Sequence, residues 1–262
     1  MQILDPFRAS GFFASILISG ILFVSRPAYA QNKYDVLART LQPYGSLFYS
    51  KAMTKAMQVD LIVREAPQIV AEILDKPLRV TLQMPNKLRI ETLDSDHHLV
   101  LCRNGQRVWA YPRDFAATIA IAGVPQVKGA RIPDFRLPLK DQQIAWLPVL
   151  FEILRFEPSL DAEGQPAWDI DFRFSPAISQ AMKCSAWVAS AVVDQHNFQM
   201  RRLRVESAAW KGTIDILGSR FEPAFPIETW EVGPDLANDA TAIPAERFAS
   251  ALERFSNAPS LR

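Results

Sequence analysis

Histidine, cysteine and glycine are scarce in this chain, and each shortage removes a class of function. Three histidines and two cysteines among 262 residues leave no Cys/His spacing of the kind a zinc site needs. With ten glycines there is no Gly/Ser-rich linker, no phosphate loop and no G-x-G-x-x-G after a strand. No serine sits at the centre of a G-x-S-x-G turn either. Charge of one sign is also missing. The 29 Lys+Arg meet 28 Asp+Glu, which excludes a nucleic-acid binder working through bulk positive charge. Beyond residue 24 no apolar run approaches the roughly 20 residues of a membrane-spanning helix.

What is present begins with an export signal. Arg8 precedes Gly11–Val24, an uncharged apolar run of 14 residues. Ser25, Arg26 and Pro27 break the run, and Ala28-Tyr29-Ala30 follows. Small residues at 28 and 30 place signal-peptidase cleavage between Ala30 and Gln31. The run is short for an uncleaved anchor, the competing reading. Cleavage leaves 27 basic and 27 acidic groups on residues 31–262, expected to fold as a single domain in the periplasm. That compartment permits a disulfide, so Cys102 and Cys184 are a candidate pair, with two buried free thiols as the alternative.

The hydrophobic period then changes along the chain. Tyr34, Leu37, Ala38 and Leu41 recur at helical spacing; Pro43 and Gly45 predict an interruption, so this N-terminal helix is short, with resumption before residue 50 as the alternative. From residue 53 the period is two, through Val59/Leu61/Val63, Val80/Leu82/Met84 and Leu88/Ile90, each alternating with polar neighbours. That pattern describes antiparallel strands with one buried face and one wet face. Pro85-Asn86, Asp94-Ser95-Asp96 and Asn104-Gly105 mark turns, the last a hairpin signal. Residues 53–123 thus read as a meander of five or six strands. The apolar run Ile144–Phe156, interrupted by Pro148, reads as one kinked helix or two. Period two resumes in Trp168/Ile170/Phe172/Phe174 and continues to residue 217, with a hairpin turn at Asp194–Asn197. A short helix follows Pro244.

Chemistry-bearing residues are sparse. His97 and His98 are neighbours on a strand end and point to opposite sides; with Asp94 and Asp96 they read as a solvated turn. Asp169, Asp171 and Arg173 form a charged stripe on the wet face of one strand. No catalytic constellation emerges, so the protein is read as a non-enzyme with no cofactor. Large apolar side chains, by contrast, are abundant and point one way. They either fill a core, or a long sheet curls and a helix closes it over an apolar cavity. In the second case the wall comes from Val80, Leu82, Met84, Leu88, Ile90, Leu99 and Leu101, continued by Trp168, Ile170, Phe172 and Phe174. The lid comes from Trp146, Leu150, Phe151 and Leu154.

The stretch from Val80 to Glu91, with Pro85-Asn86, and the stretch Asn104-Gly105…Trp109…Tyr111-Pro112 resemble the LolA-like family of periplasmic lipoprotein carriers. The motif covers residues 78–114; the order of helix, meander, helical insertion and meander covers nearly all of the mature chain. The resemblance implies an α+β, mainly β fold: a long curved antiparallel sheet forming an unclosed β-barrel, with an N-terminal helix and a mid-chain helical lid over an apolar cavity. It implies a monomer carrying a lipid or acylated protein, with an inner-membrane release complex or an outer-membrane acceptor as partners and no role for nucleic acid. One position departs from the family. An arginine there precedes Pro-Asn and is associated with lid closure; here the residue is Met84, which has no guanidinium fork to hold a lid. The leading function is therefore a periplasmic carrier or chaperone. An envelope sensor with the same fold is the alternative, and a lipid hydrolase is a third.

Overall fold

The computed structural model describes residues 32–49, 53–66, 73–94, 96–116, 128–135, 150–182, 186–207 and 211–256. Helix α1 (Lys33–Ser46) comes first. Asn32 caps it by accepting the Tyr34 backbone N–H at 3.0 Å, satisfying one of the donors that a helix start leaves free. The helix does not stop at Pro43, as its sequence predicts, but runs on to Ser46. Proline so near the end removes a single helical hydrogen bond, and the Ser46 hydroxyl donates to the Pro43 carbonyl at 2.7 Å.

Eleven strands follow among the described residues: β1 (Ala56–Glu65), β2 (Pro77–Gln83), β3 (Lys87–Thr92), β4 (Val100–Asn104), β5 (Arg107–Tyr111), β6 (Phe151–Leu160), β7 (Pro166–Phe174), β8 (Trp187–Asp194), β9 (Met200–Ser207), β10 (Lys211–Glu222) and β11 (Thr241–Ile243). A short helix α2 (Pro176–Met182) lies between β7 and β8, and α3 (Ala245–Ser256) ends the described chain. The strands form one sheet in the order β11-β5-β4-β3-β2-β1-β10-β9-β8-β7-β6, and every strand pairing is antiparallel. Two meanders, β1–β5 and β6–β10, are thus joined side by side through β1 and β10. The outer edges β11 and β6 do not meet, so the sheet is not closed into a barrel.

Register explains how the two faces sort. Val59, Val80, Ile90, Leu101 and Ala110 lie opposite one another across β1–β5, and directly paired residues share a face. On this inner face Val36 and Leu37 of α1 pack into a core with Val59, Ile153, Ile170, Phe172, Ala191 and Val193. Bulges keep the apolar residues inward. In β10, Ile214 and Ile216 pair with Val63 and Leu61, whereas Ser219 and Phe221 pair with Val59 and Met57. The extra residue, Leu217, is turned out and 52% exposed.

The C-terminal segment wraps the β5 end of the sheet. Trp230, 1% exposed, packs on the outer face against Val100, Cys102 and Trp109. Its carbonyl accepts Trp109 Nε1 at 3.3 Å and the Cys102 thiol at 3.6 Å. The chain then adds β11 to the sheet and places Phe248 and Ala249 of α3 on the inner face, against Val108 and Ala110.

Two expectations change. From Phe151 to Phe156 the run is strand, not helix: Phe151 and Leu154, assigned to a helical lid, lie in edge strand β6. There Phe151 pairs with Phe174 and Ile153 with Phe172, so cross-strand aromatic and β-branched contacts prevail over a run that fits either period. Leu154 falls at the bulge between Ile153 and Arg155 and is 45% exposed. Leu150 stands immediately before β6, its carbonyl accepting the Ser175 N–H at 2.9 Å. Trp146 lies outside the described residues. The Asn104-Gly105 hairpin is also shifted by one residue. Asn104 pairs with Arg107 and Gly105 alone takes positive φ, +67°, so the turn is Gly105-Gln106, with glycine first as a type II′ turn requires.

Candidate functional site

An apolar groove of about 420 Å³ lies on the inner face, between α1 and strands β7–β9. Leu41 reaches it from the helix. The sheet supplies Phe172 from β7, Trp187 and Ala189 from β8, and Met200, Leu203 and Val205 from β9. Among the described residues Ser207 is the one polar side chain of the lining, and none of the described lining residues is charged. The local sequence makes such a floor without special devices: Leu203 and Val205 alternate with Arg202, Arg204 and Glu206, so a period of two sends every charge to the opposite face.

That opposite face is laced with ion pairs. Arg155 Nε bonds Asp171 at 2.8 Å, and its Nη1 lies 3.9 Å from Asp169. Asp215 takes Arg202 at 2.6 Å and Arg64 at 2.7 Å. Burial works to raise the Asp215 carboxyl, but hydrogen bonds from Arg202 and Arg64 outweigh it and hold its pKa below the ordinary 3.8. Asp169 and Asp171 therefore form part of a charge-neutralised surface. Asp94 is likewise occupied, its carboxylate taking Lys76 Nζ at 2.7 Å, while the neighbouring His98 ring faces Tyr111 at 5.7 Å. Among the described residues no group of three or more His, Cys, Asp or Glu is placed to hold a metal, and no helix is long and apolar enough to cross a membrane.

The residues expected to form a cavity wall that lie in strands share the inner face, but the sheet divides them between two regions. Ile170 and Phe172 are buried in the core under α1, with Trp168 and Phe174 packed around it. Trp168 stacks on Phe156 at 4.6 Å and Phe174 on Phe151 at 5.1 Å. Of the expected wall, only Phe172 lines the groove. Val80, Leu82, Leu88 and Ile90 are half-buried on β2 and β3 and belong to none of the buried clusters. Leu101 packs against the cluster around Val108, Leu99 lies just before β4, and Met84 stands in the turn after β2, its N–H on the Lys55 carbonyl at 2.8 Å. The sequence reading passed over Leu203, Val205 and Met200, whose alternation in β9 carried the signal. Cys102 is a free, buried thiol that burial pushes up to about 12; Cys184 lies outside the described residues.

No family model matches the chain, and no curated protein matches it. Solved structures do resemble it. The Mycobacterium tuberculosis lipoprotein LppX is 9% identical, with 74% of this chain and 97% of that one covered, at a TM-score of 0.36. A LolA superfamily protein from Nitrosomonas europaea is 10% identical, covering 75% and 96%, at a TM-score of 0.26. The complex of Pseudomonas aeruginosa MucA and MucB includes a chain 9% identical, covering 80% of this chain and 62% of that one, at a TM-score of 0.38. At identities of 9–10% and TM-scores below 0.5 these likenesses assign neither a family nor a ligand to this chain.

Proposed function

We propose that the protein is an exported carrier that holds a lipid, or the acyl chains of a lipidated protein, against the inner face of its open sheet. The apolar groove beneath α1 carries this reading. A floor of Phe172, Leu203 and Val205, with no charged residue among the described lining, favours hydrocarbon over any polar ligand. Cleavage after Ala30 would deliver the protein to the periplasm, where acyl chains need shielding from water. Acceptance from an inner-membrane complex and delivery to an outer-membrane acceptor would complete the cycle.

Native mass spectrometry of protein purified from the periplasm tests the reading. The expected spectrum shows the chain beginning at Gln31 with an added lipid or lipopeptide mass that collisional activation removes. A spectrum of the bare chain alone, from cells and after incubation with envelope lipid, would overturn it.

A further inference from the structure

Among the described residues the inner face carries one fully buried cation. Arg103, on β4, is 1% exposed, and its neighbours across the sheet are Leu88 of β3 and Val108 of β5. Its guanidinium is held by backbone carbonyls. Nε donates to Gly105 O at 3.0 Å, and Nη2 to Pro133 O at 2.8 Å and, at a long 3.4 Å, to Ile132 O. The Phe135 ring stacks at 4.8 Å. Nη1 is buried and donates to nothing. Arg103 makes no salt bridge among the described residues; Asp134, which takes the Asn86 amide at 3.3 Å, acts on it only through its field, against the burial that pushes the guanidinium pKa down. A buried cation with an idle donor and no salt-bridge partner among the described residues is costly, and an arriving anion would relieve that cost.

The surroundings say what else such an anion carries. Phe221, Met57, Leu82, Leu88 and Arg103 stand opposite one another in one row across β10, β1, β2, β3 and β4. The four apolar members of that row are half-buried. At roughly 4.8 Å per strand the row extends about 19 Å, within reach of a long acyl chain, from the α1 contact of Phe221 with Tyr44 to the guanidinium.

We infer that Arg103 is the anchor for the anionic end, carboxylate or phosphate, of an acyl ligand whose chain lies along this apolar row and whose far end reaches α1 at Tyr44, one helical turn from Leu41 of the groove. The anion takes Nη1 and shares Nη2 in place of the long Ile132 contact, giving a forked, charge-assisted pair. Nε keeps Gly105 O. Because Nη1 is closed to water, entry follows a local opening beside it.

The inference rests on the lipid-binding reading, and a paired titration separates the two. A fluorescent long-chain fatty acid and the fatty alcohol with the same chain and fluorophore are titrated into the wild-type protein. The acid should bind at least about tenfold more tightly. Arg103→Gln should erase that preference while keeping alcohol affinity, with Arg103→Lys intermediate and a melting curve confirming that each variant folds. Equal binding of acid and alcohol by wild type would overturn the anchor and leave the lipid reading standing. Binding of neither would overturn both. Inorganic phosphate that binds alone as tightly as the acid would mark a free-anion site and overturn the amphiphile.

Discussion

The two halves of the sheet use the same pairing but different covering. Under α1, β7 alternates: Ile170 and Phe172 go into the core while Asp169 and Asp171 stay outside with Arg155. In β5 the alternation fails, and Val108, Trp109 and Ala110 are all buried. The reason is a second cover, since Trp230 seals the outer face at Trp109 and α3 seals the inner face at Val108 and Ala110. A strand covered once displays its period, whereas a strand covered twice loses it. The singly covered half is also where the groove lies, between α1 and β7–β9.

The comparison predicts its own breaking points. The largest effect should come from Trp230→Ala, which opens the outer face of β4 and β5 over Cys102 and Trp109 and should cost about 4 kcal/mol in urea unfolding. The Cys102 thiol should then react with a thiol reagent that leaves the folded wild type untouched. An unreactive thiol with unchanged stability would show that the C-terminal wrap is not a structural cover.

Leu37→Ala cuts the anchor of α1 and should cost about 3 kcal/mol, since Leu37 is fully buried in the core beneath the groove. Uptake of a fluorescent fatty acid should fall in step with helix docking. Normal uptake by this variant would place the ligand away from α1.

Asp215→Asn should have the smallest effect, and one that depends on pH. The folded carboxyl sits below its unfolded value because Arg202 and Arg64 outweigh burial. Its stabilisation is therefore complete above the unfolded pKa and is lost as pH falls through the folded one. The variant should melt at a lower temperature than wild type at pH 7, and the gap should narrow as the pH falls below the ordinary 3.8 and through the lowered folded pKa. A gap that is constant across this range would mean that the pair contributes through packing rather than charge.

Sequence legibility follows the same division. β1, β2, β3 and β7 could be read directly because water on one face enforces the alternation. The wrap by residues 223–240 could not, since its partners Val100, Cys102 and Trp109 lie more than a hundred positions earlier and leave no local period. Phe151–Phe156 misled for a related reason: an apolar edge strand and a buried helix look alike until the pairing with Phe172 and Phe174 is known. The groove was half legible. Phe172 reads as wall and Leu41 as helix, but a β9 strand rich in arginine reads first as surface, which hides Leu203 and Val205. Arg103 drew no notice, since one arginine beside a turn has no pattern; its meaning comes from the apolar row in which the sheet sets it.

The central claim is that the space beneath α1 is a ligand groove rather than an imperfection of the core, and Leu203→Trp tests it most directly. Leu203 lines the groove from β9, and the larger ring should occupy the open volume. The account predicts an almost unchanged melting temperature and at least a tenfold loss of fluorescent fatty-acid uptake. A variant destabilised by roughly 1–3 kcal/mol, as overpacking a filled core would require, that still takes up the probe like wild type would contradict it.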